Sequence, residues 1–154
     1  MNVPIRPERS EDRAVVAQLL RAAFDGPAEA ALVDALRHDG DLDLSLVAED
    51  NGRIAGHLAL SPLDAPFPAL ALAPLAVSPE RQRQGIGSAL VRAAIAARPG
   101  HTLVVLGDPA YYSRFGFVPV GWDSPYAGPY LQARGPHLPE RARIAHAPAF
   151  AALS

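Results

Sequence analysis

Two stretches of this chain hold residues whose types and spacing could do chemistry, and the first is Gln82-Arg83-Gln84-Gly85-Ile86-Gly87-Ser88-Ala89-Leu90. It follows the apolar run Leu70 to Val77 and opens a helical pattern. Two glycines one residue apart let the backbone turn sharply and approach a ligand with no Cβ in the way. The helix that follows presents unpaired N–H groups and the positive end of its dipole, which suits an anion such as a phosphate. A P-loop would place lysine and then serine or threonine after its last glycine, but Gly87 is followed by Ser88-Ala89 and the chain contains no lysine. A dinucleotide fingerprint would need a third glycine where Leu90 stands.

The second stretch follows the apolar run Thr102 to Leu106 and reads Gly107-Asp108-Pro109-Ala110-Tyr111-Tyr112-Ser113-Arg114-Phe115-Gly116-Phe117. Asp108 before Pro109 either caps a short helix or turns its carboxylate toward a bound amine. A tyrosine hydroxyl has a reference pKa of about 10, so it is protonated at neutral pH and able to donate.

Gln-x-x-Gly-x-Gly between a strand and a helix resembles the pyrophosphate loop of the GCN5-related N-acetyltransferases, the acyl-CoA-binding superfamily known as GNAT. The second stretch resembles that family's other CoA-facing segment, and the order and spacing of the two agree. Gly-Asp-Pro-x-Tyr-Tyr-x-Arg-Phe-Gly-Phe is similar to a bacterial, YhbS-like group within it. The resemblance covers residues 3 to 120 well and the remainder loosely. It implies an α+β fold in three layers (α/β/α), with a mixed, mostly antiparallel sheet splayed at its fourth and fifth strands. It implies acetyl-CoA as donor, CoA as product, no metal, and transfer of an acetyl group to an amine by direct attack in a ternary complex. A non-catalytic acyl-CoA-binding or regulatory module of the same fold is the alternative. A homodimer is an expectation from the family.

Carried onto this sequence, the resemblance places the pyrophosphate against Gln82, Arg83, Gln84, Gly85, Ile86, Gly87 and Ser88. The pantetheine arm falls against Leu75, Ala76 and Val77, with Tyr111 and Phe115 also facing the cofactor. Tyr112 stands where many family members put the general acid that protonates the departing thiolate. Many also put a glutamate on the fourth strand as base, where this chain has Ala69 to Ala73; Glu49, His57 and Asp64 are the nearby candidates. A lysine-like amine near pKa 10.4 is almost wholly charged at pH 7, whereas an α-amino group near 7.7 to 8.0 is free in about one molecule in ten, so only the first compels a base. The acceptor, a small-molecule or peptide amine, is expected between the loops Phe24 to Glu29 and Trp122 to Tyr126.

The elements that must position these residues can be read from periodicity. A short strand over Val3 to Arg6 precedes a helix from near Ser10, with Val15, Val16, Leu19, Leu20 and Ala23 on its apolar side. A second helix over Ala28 to His38 offers Ala31, Leu32, Ala35 and Leu36. Asp50-Asn51-Gly52 between Leu44 to Glu49 and Arg53 to Leu60 is a hairpin signal. The strand Ala69 to Val77 contains Pro74, which cannot donate to a ladder, so its pairing must open. Ile86 to Ala97 is helical, with Ile86, Leu90, Ala93, Ala94 and Ala97 inward; a buried strand (Thr102 to Leu106), a short helix (Ala110 to Arg114) and a strand (Phe117 to Val120) follow. Tyr130 to Arg134 and Arg143 to His146 are candidate edge strands.

Composition bounds the function. The 154 residues suit one domain over 1–154. No cysteine and five scattered histidines leave neither a thiol nucleophile nor a metal signature. A net charge of -2 argues against nucleic acid. No apolar run has the length of a bilayer span and Met1 to Arg6 lacks an apolar signal segment, so a cytoplasmic protein without a membrane partner is expected.

Overall fold

The computed structural model describes residues 3–153; Met1, Asn2 and Ser154, at the limits of the expected domain, lie outside the described residues. A seven-stranded sheet, ordered β1-β2-β3-β4-β5-β7-β6, forms the middle layer. Its strands are β1 (Ile5–Pro7), β2 (Leu44–Asp50), β3 (Arg53–Pro62), β4 (Ala69–Val77), β5 (Thr102–Leu106), β6 (Val118–Pro119) and β7 (Leu131–Arg134). Only the β4–β5 pair is parallel. Helices α1 (Arg13–Phe24) and α2 (Ala28–His38) cover one face, and α3 (Ile86–Ala97) with the short α4 (Pro109–Tyr112) covers the other.

Strand alternation sorts the core between the two faces. Leu58, Leu60, Leu70 and Leu72 pack against Ile86, Leu90, Val91 and Ala94 of α3. Val47 and Ala76 point the other way, onto Val16 and Leu20 of α1 and Val33 of α2. The two covering helices also pack on each other, which changes the expected inward stripes. Val15 is 44% exposed and Ala31 is exposed, while Ala30 and Val33 are buried. On α3, Ala97 is exposed and Val91 fully buried, because the sheet meets the helix across its middle turns.

The β2–β3 hairpin closes at Asn51 and Gly52, both with positive φ (52° and 78°), as its right-handed twist requires. In β3–β4, Leu58 faces Leu75 and Leu60 faces Leu72, so Ala73 and Pro74 together oppose Ala59 alone: a bulge where proline brings no donor. On its other side β4 pairs with β5 only from Ala69 to Ala71. Beyond that point the two strands part.

The C-terminal third differs from the sequence expectation. Tyr130 to Arg134 is not an edge: β7 lies between β5 and β6, and Leu131, Gln132 and Ala133 are fully buried. Arg143 to His146 forms no strand; it makes only single bridges, Asp123 with Arg143 and Asp64 with Ala145. Trp122 anchors this region, its Nε1 donating to Pro139 O at 2.8 Å and its ring meeting Phe67 at 5.4 Å.

His57 lies on β3 with 0% exposure, its Nε2 2.8 Å from Ser45 Oγ and its Nδ1 without a hydrogen-bond partner. Burial, reinforced by the positive charge of Arg37, pushes the imidazole down to about 4, so it is neutral at pH 7. Sealed under α1 and α2, it has no route to an acceptor amine and is not the base. It does tie stability to pH. The unfolded chain protonates this histidine below about 6.5 and the folded chain only near 4, so stability is complete above 6.5 and is lost as pH falls through 4. At about 1.4 kcal/mol per unit the loss is about 3 kcal/mol. Urea unfolding at pH 7, 5 and 4 should show His57→Gln losing about that much less than the wild type over the same range.

Candidate active site

The parting of β4 from β5 leaves one side of β4 without a partner. Ser78 N–H donates to Ala55 O at 2.8 Å, and alternation along an antiparallel ladder then turns the Ala76 amide toward β3 as well. The amides and carbonyls of Leu75 and Val77 face the open side. The Gln82 amide marks that edge, Nε2 donating to Val77 O at 3.4 Å.

A cleft of about 570 Å³ runs along this edge. Leu75 and Val77 form one wall, Gln82, Arg83 and the turn from Gly85 to Ser88 a second, and Tyr111 with Arg114 a third. The chain enters α3 through Arg83 (φ 66°) and Gly85 (φ 82°), both left-handed, the second at little cost because it is glycine. No side chain caps the helix, and its first turn has Ala89 N–H bonded to Gly85 O at 3.0 Å, so the amides of Ile86, Gly87 and Ser88 are left for a ligand. A Cβ at Gly87 would sit 3.0 Å from Tyr111 Oη and 3.6 Å from Val77 Cγ2, inside the cleft. Arg114 donates from Nε to Tyr111 O at 3.2 Å and lies over the Tyr111 ring at 4.4 Å. The cleft thus offers backbone donors, two guanidinium groups and an open strand edge, a set that fits an extended ligand with phosphates at one end and amides along its arm.

Nine of the expected cofactor-facing residues line this one cleft. Three do not. Ala76 is 3% exposed and points to α1 and α2, one residue out of phase with its neighbours. Gln84 is turned outward, its Oε1 accepting from Arg81 Nε at 3.0 Å while Arg81 pairs with Asp50 at 2.7 Å. Phe115 is 7% exposed and packs in the core beneath Arg92. Arg114 was absent from the sequence expectation, although its spacing of three from Tyr111 puts both on one helical face.

Tyr112 lines a second cavity, of about 240 Å³, in the wedge between β4 and β5. Leu72, Ala73, Pro74 and Leu75 border it from β4, Val105 and Leu106 from β5, and Phe24 and Glu29 from the helical side. Leu75 lines both spaces, so cleft and wedge meet at that residue. Burial first, and the neighbouring Tyr111 second, push the Tyr112 hydroxyl up to about 12. Its ring packs edge to face on Phe117 at 5.6 Å and lies so close to Gly107 that a Cβ there would collide with it. Gly107 is held in turn by buried Gln132, whose Nε2 donates to Gly107 O at 3.0 Å.

The other carboxylates named from the sequence lie elsewhere. Glu49 accepts from Arg6 Nε at 2.9 Å, and that hydrogen bond holds it below the usual carboxylate range. Asp64 is exposed and bridges to Ala145 through its backbone. Asp108 is a cap, accepting from Ala110 N–H at 3.0 Å. Among the described residues no helix is long and apolar enough to cross a membrane, and no group of three or more His, Cys, Asp or Glu could hold a metal.

Residues 41–119 match the family model described as an acetyltransferase (GNAT) domain. The chain is 44% identical over 120 residues to the N-acetyltransferase YhbS of Escherichia coli, covering 73% of this chain and 72% of that one. The crystal structure of E. coli YhbS in complex with CoA superposes with a TM-score of 0.88 over 98% of this chain and 93% of that one; identity over this longer overlap is 32%. A GNAT family acetyltransferase from Brucella melitensis, solved with acetyl-CoA, superposes with a TM-score of 0.83 at 36% identity, covering 97% and 98%.

Two substitutions test the geometry. Gly87→Val should fill the cleft and weaken binding of CoA, read by calorimetry, at least tenfold, with the thermal midpoint little changed. Gly107→Ala should leave CoA affinity within about twofold, because it displaces the Tyr112 ring in the wedge and leaves the cleft intact.

Proposed function

The chain belongs to the GNAT acetyltransferase family, and from that premise we propose that it transfers an acetyl group from acetyl-CoA to an amine brought into the wedge beside Tyr112. The observation that carries this reading is the meeting of the two spaces at Leu75: a phosphate-suited cleft on one side and a Tyr112-lined cavity on the other.

The residues fit the donor. The free amides of Ile86, Gly87 and Ser88 would take the diphosphate, with Arg83 and Arg114 as charged partners. The backbone edge at Leu75 and Val77 would pair with the amides of the pantetheine arm. Acetyl-CoA would supply an activated acyl group: the acceptor nitrogen bonds to the acetyl carbon, the carbon–sulfur bond breaks, the sulfur leaves as a thiol with the proton from Tyr112, the amine's surplus proton passes to solvent, and solvent returns a proton to Tyr112. Tyr112 Oη holds the proton that the leaving sulfur needs. The raised hydroxyl keeps that proton through the whole neutral and mildly alkaline range.

Tyr112→Phe should lower kcat about a hundredfold, the lower end of what a positioned acid contributes, with KM for acetyl-CoA within about twofold. Because Tyr112 loses its proton only near 12, kcat of the wild type should rise with pH as the amine deprotonates and show no fall up to pH 10. Thiol release followed from pH 6 to 10 reads both. Full turnover by Tyr112→Phe across that range would remove the assigned role. Acetyl-CoA binding with no thiol release from any amine would favour a non-catalytic acyl-CoA-binding module.

A further inference from the structure

The wedge continues past Tyr112. Leu72, Ala73, Leu106 and Leu153 line it and also line a narrower recess of about 140 Å³, so the two adjoin across these residues. The far end of the recess is made by Tyr126, His146 and Phe150, from the segment after Trp122. The Tyr126 and His146 rings meet edge to face at 4.9 Å, and those of His146 and Phe150 at 5.0 Å. Tyr126 Oη donates to Phe150 O at 3.4 Å, which ties the wall together. Burial lowers the His146 imidazole from its ordinary range, so this end carries no charge at neutral pH.

Charge enters the same space at its other end. Glu29, in the first turn of α2, borders the wedge beside Tyr112 and has no salt-bridge partner among the described residues. Every other acid and base bordering this space is a tyrosine or the neutral His146. The space is therefore graded, with one unpaired carboxylate by the reacting end and an aromatic, apolar pocket beyond it. A dry apolar cavity of about 150 Å³ holds a benzene molecule, which sets the size of group the recess can take.

We propose that the acceptor is a primary amine joined by a short linker to an apolar group about the size of benzene, its ammonium facing Glu29 and its ring seated in the recess beneath Tyr126, His146 and Phe150. This rests on the transferase reading above and names the class of substrate for it. A longer acyl chain on the donor would also meet an apolar wall there, but would leave Glu29 with nothing to pair. The observations favour the amine.

The probe is phenethylamine, compared with ethylamine and putrescine, titrated calorimetrically into the protein saturated with CoA. Phenethylamine should bind at least tenfold more tightly than either. Leu153→Trp, at a rim position 40% exposed, should abolish that preference while keeping CoA affinity, which also reports the fold. Glu29→Gln should weaken phenethylamine and ethylamine by the same several-fold factor and keep their ratio. Equal binding of phenethylamine and ethylamine overturns the proposal, as does a preference that survives Leu153→Trp. So does tighter binding of hexanoyl-CoA than acetyl-CoA with the gain lost in Leu153→Trp, which gives the recess to the acyl chain. Turnover separates the two readings. Acetylation of putrescine with phenethylamine ignored leaves the transferase standing and overturns this inference. Tight, recess-dependent phenethylamine binding without acetylation of any amine supports the recess and overturns the transferase.

Discussion

Everything at this site depends on β4 being paired on one side only beyond Ala71. Three residues, Ala69 to Ala71, hold β4 to β5, and the strands then separate where Ala73 and Pro74 bulge against Ala59. In an ordinary sheet interior an unpaired strand edge is a liability, since each free amide and carbonyl must find water or a partner. Here the free edge at Leu75 and Val77 is a row of donors and acceptors suited to an extended ligand that brings amides of its own. The same separation opens the wedge, so cleft and wedge have one origin.

The two halves of the site are stabilised differently. The cleft is built mainly from backbone: the uncapped start of α3, the left-handed residues before it and the edge of β4. Such groups cannot swing away, which pre-organises them for an anion without costing side-chain entropy on binding. The wedge is built from side chains, and their positions are fixed by packing from behind. Tyr112 is wedged between Phe117 and Gly107, and Gly107 is fixed by a buried glutamine on β7. A polar residue sealed inside the sheet, Gln132, thus sets where a hydroxyl stands on the other side of a loop.

Charge placement follows the same division. Glu8, Asp12, Asp43, Glu49 and Asp50 are all engaged by arginines away from the site. Arg83 and Arg114 remain at the cleft, and Glu29 remains at the wedge. Arg83, Arg114 and Glu29 take part in none of these ion pairs, so their charges are free to meet ligand groups of opposite sign in the two spaces.

The amino-acid sequence alone determined the elements whose physics is local. Ile86–Ala97, Ala69–Val77 and Thr102–Leu106 match their expected bounds because glycine, proline and apolar periodicity act within a few residues. The Gly85 to Ser88 loop was legible for the same reason: a turn needing positive φ before an uncapped helix leaves its mark on adjacent residues. Tertiary structure alone decided which way Ala76 and Gln84 face, since a one-residue phase is set by the β3 register and by the Arg81–Asp50 pair, both distant in sequence. It also decided that β7 lies inside the sheet and that Tyr126, His146, Phe150 and Leu153 gather at the end of the wedge. These residues follow no period, and what brings them together is the packing of the tail on Trp122 and α2, an energy that exists only once the rest of the chain is folded.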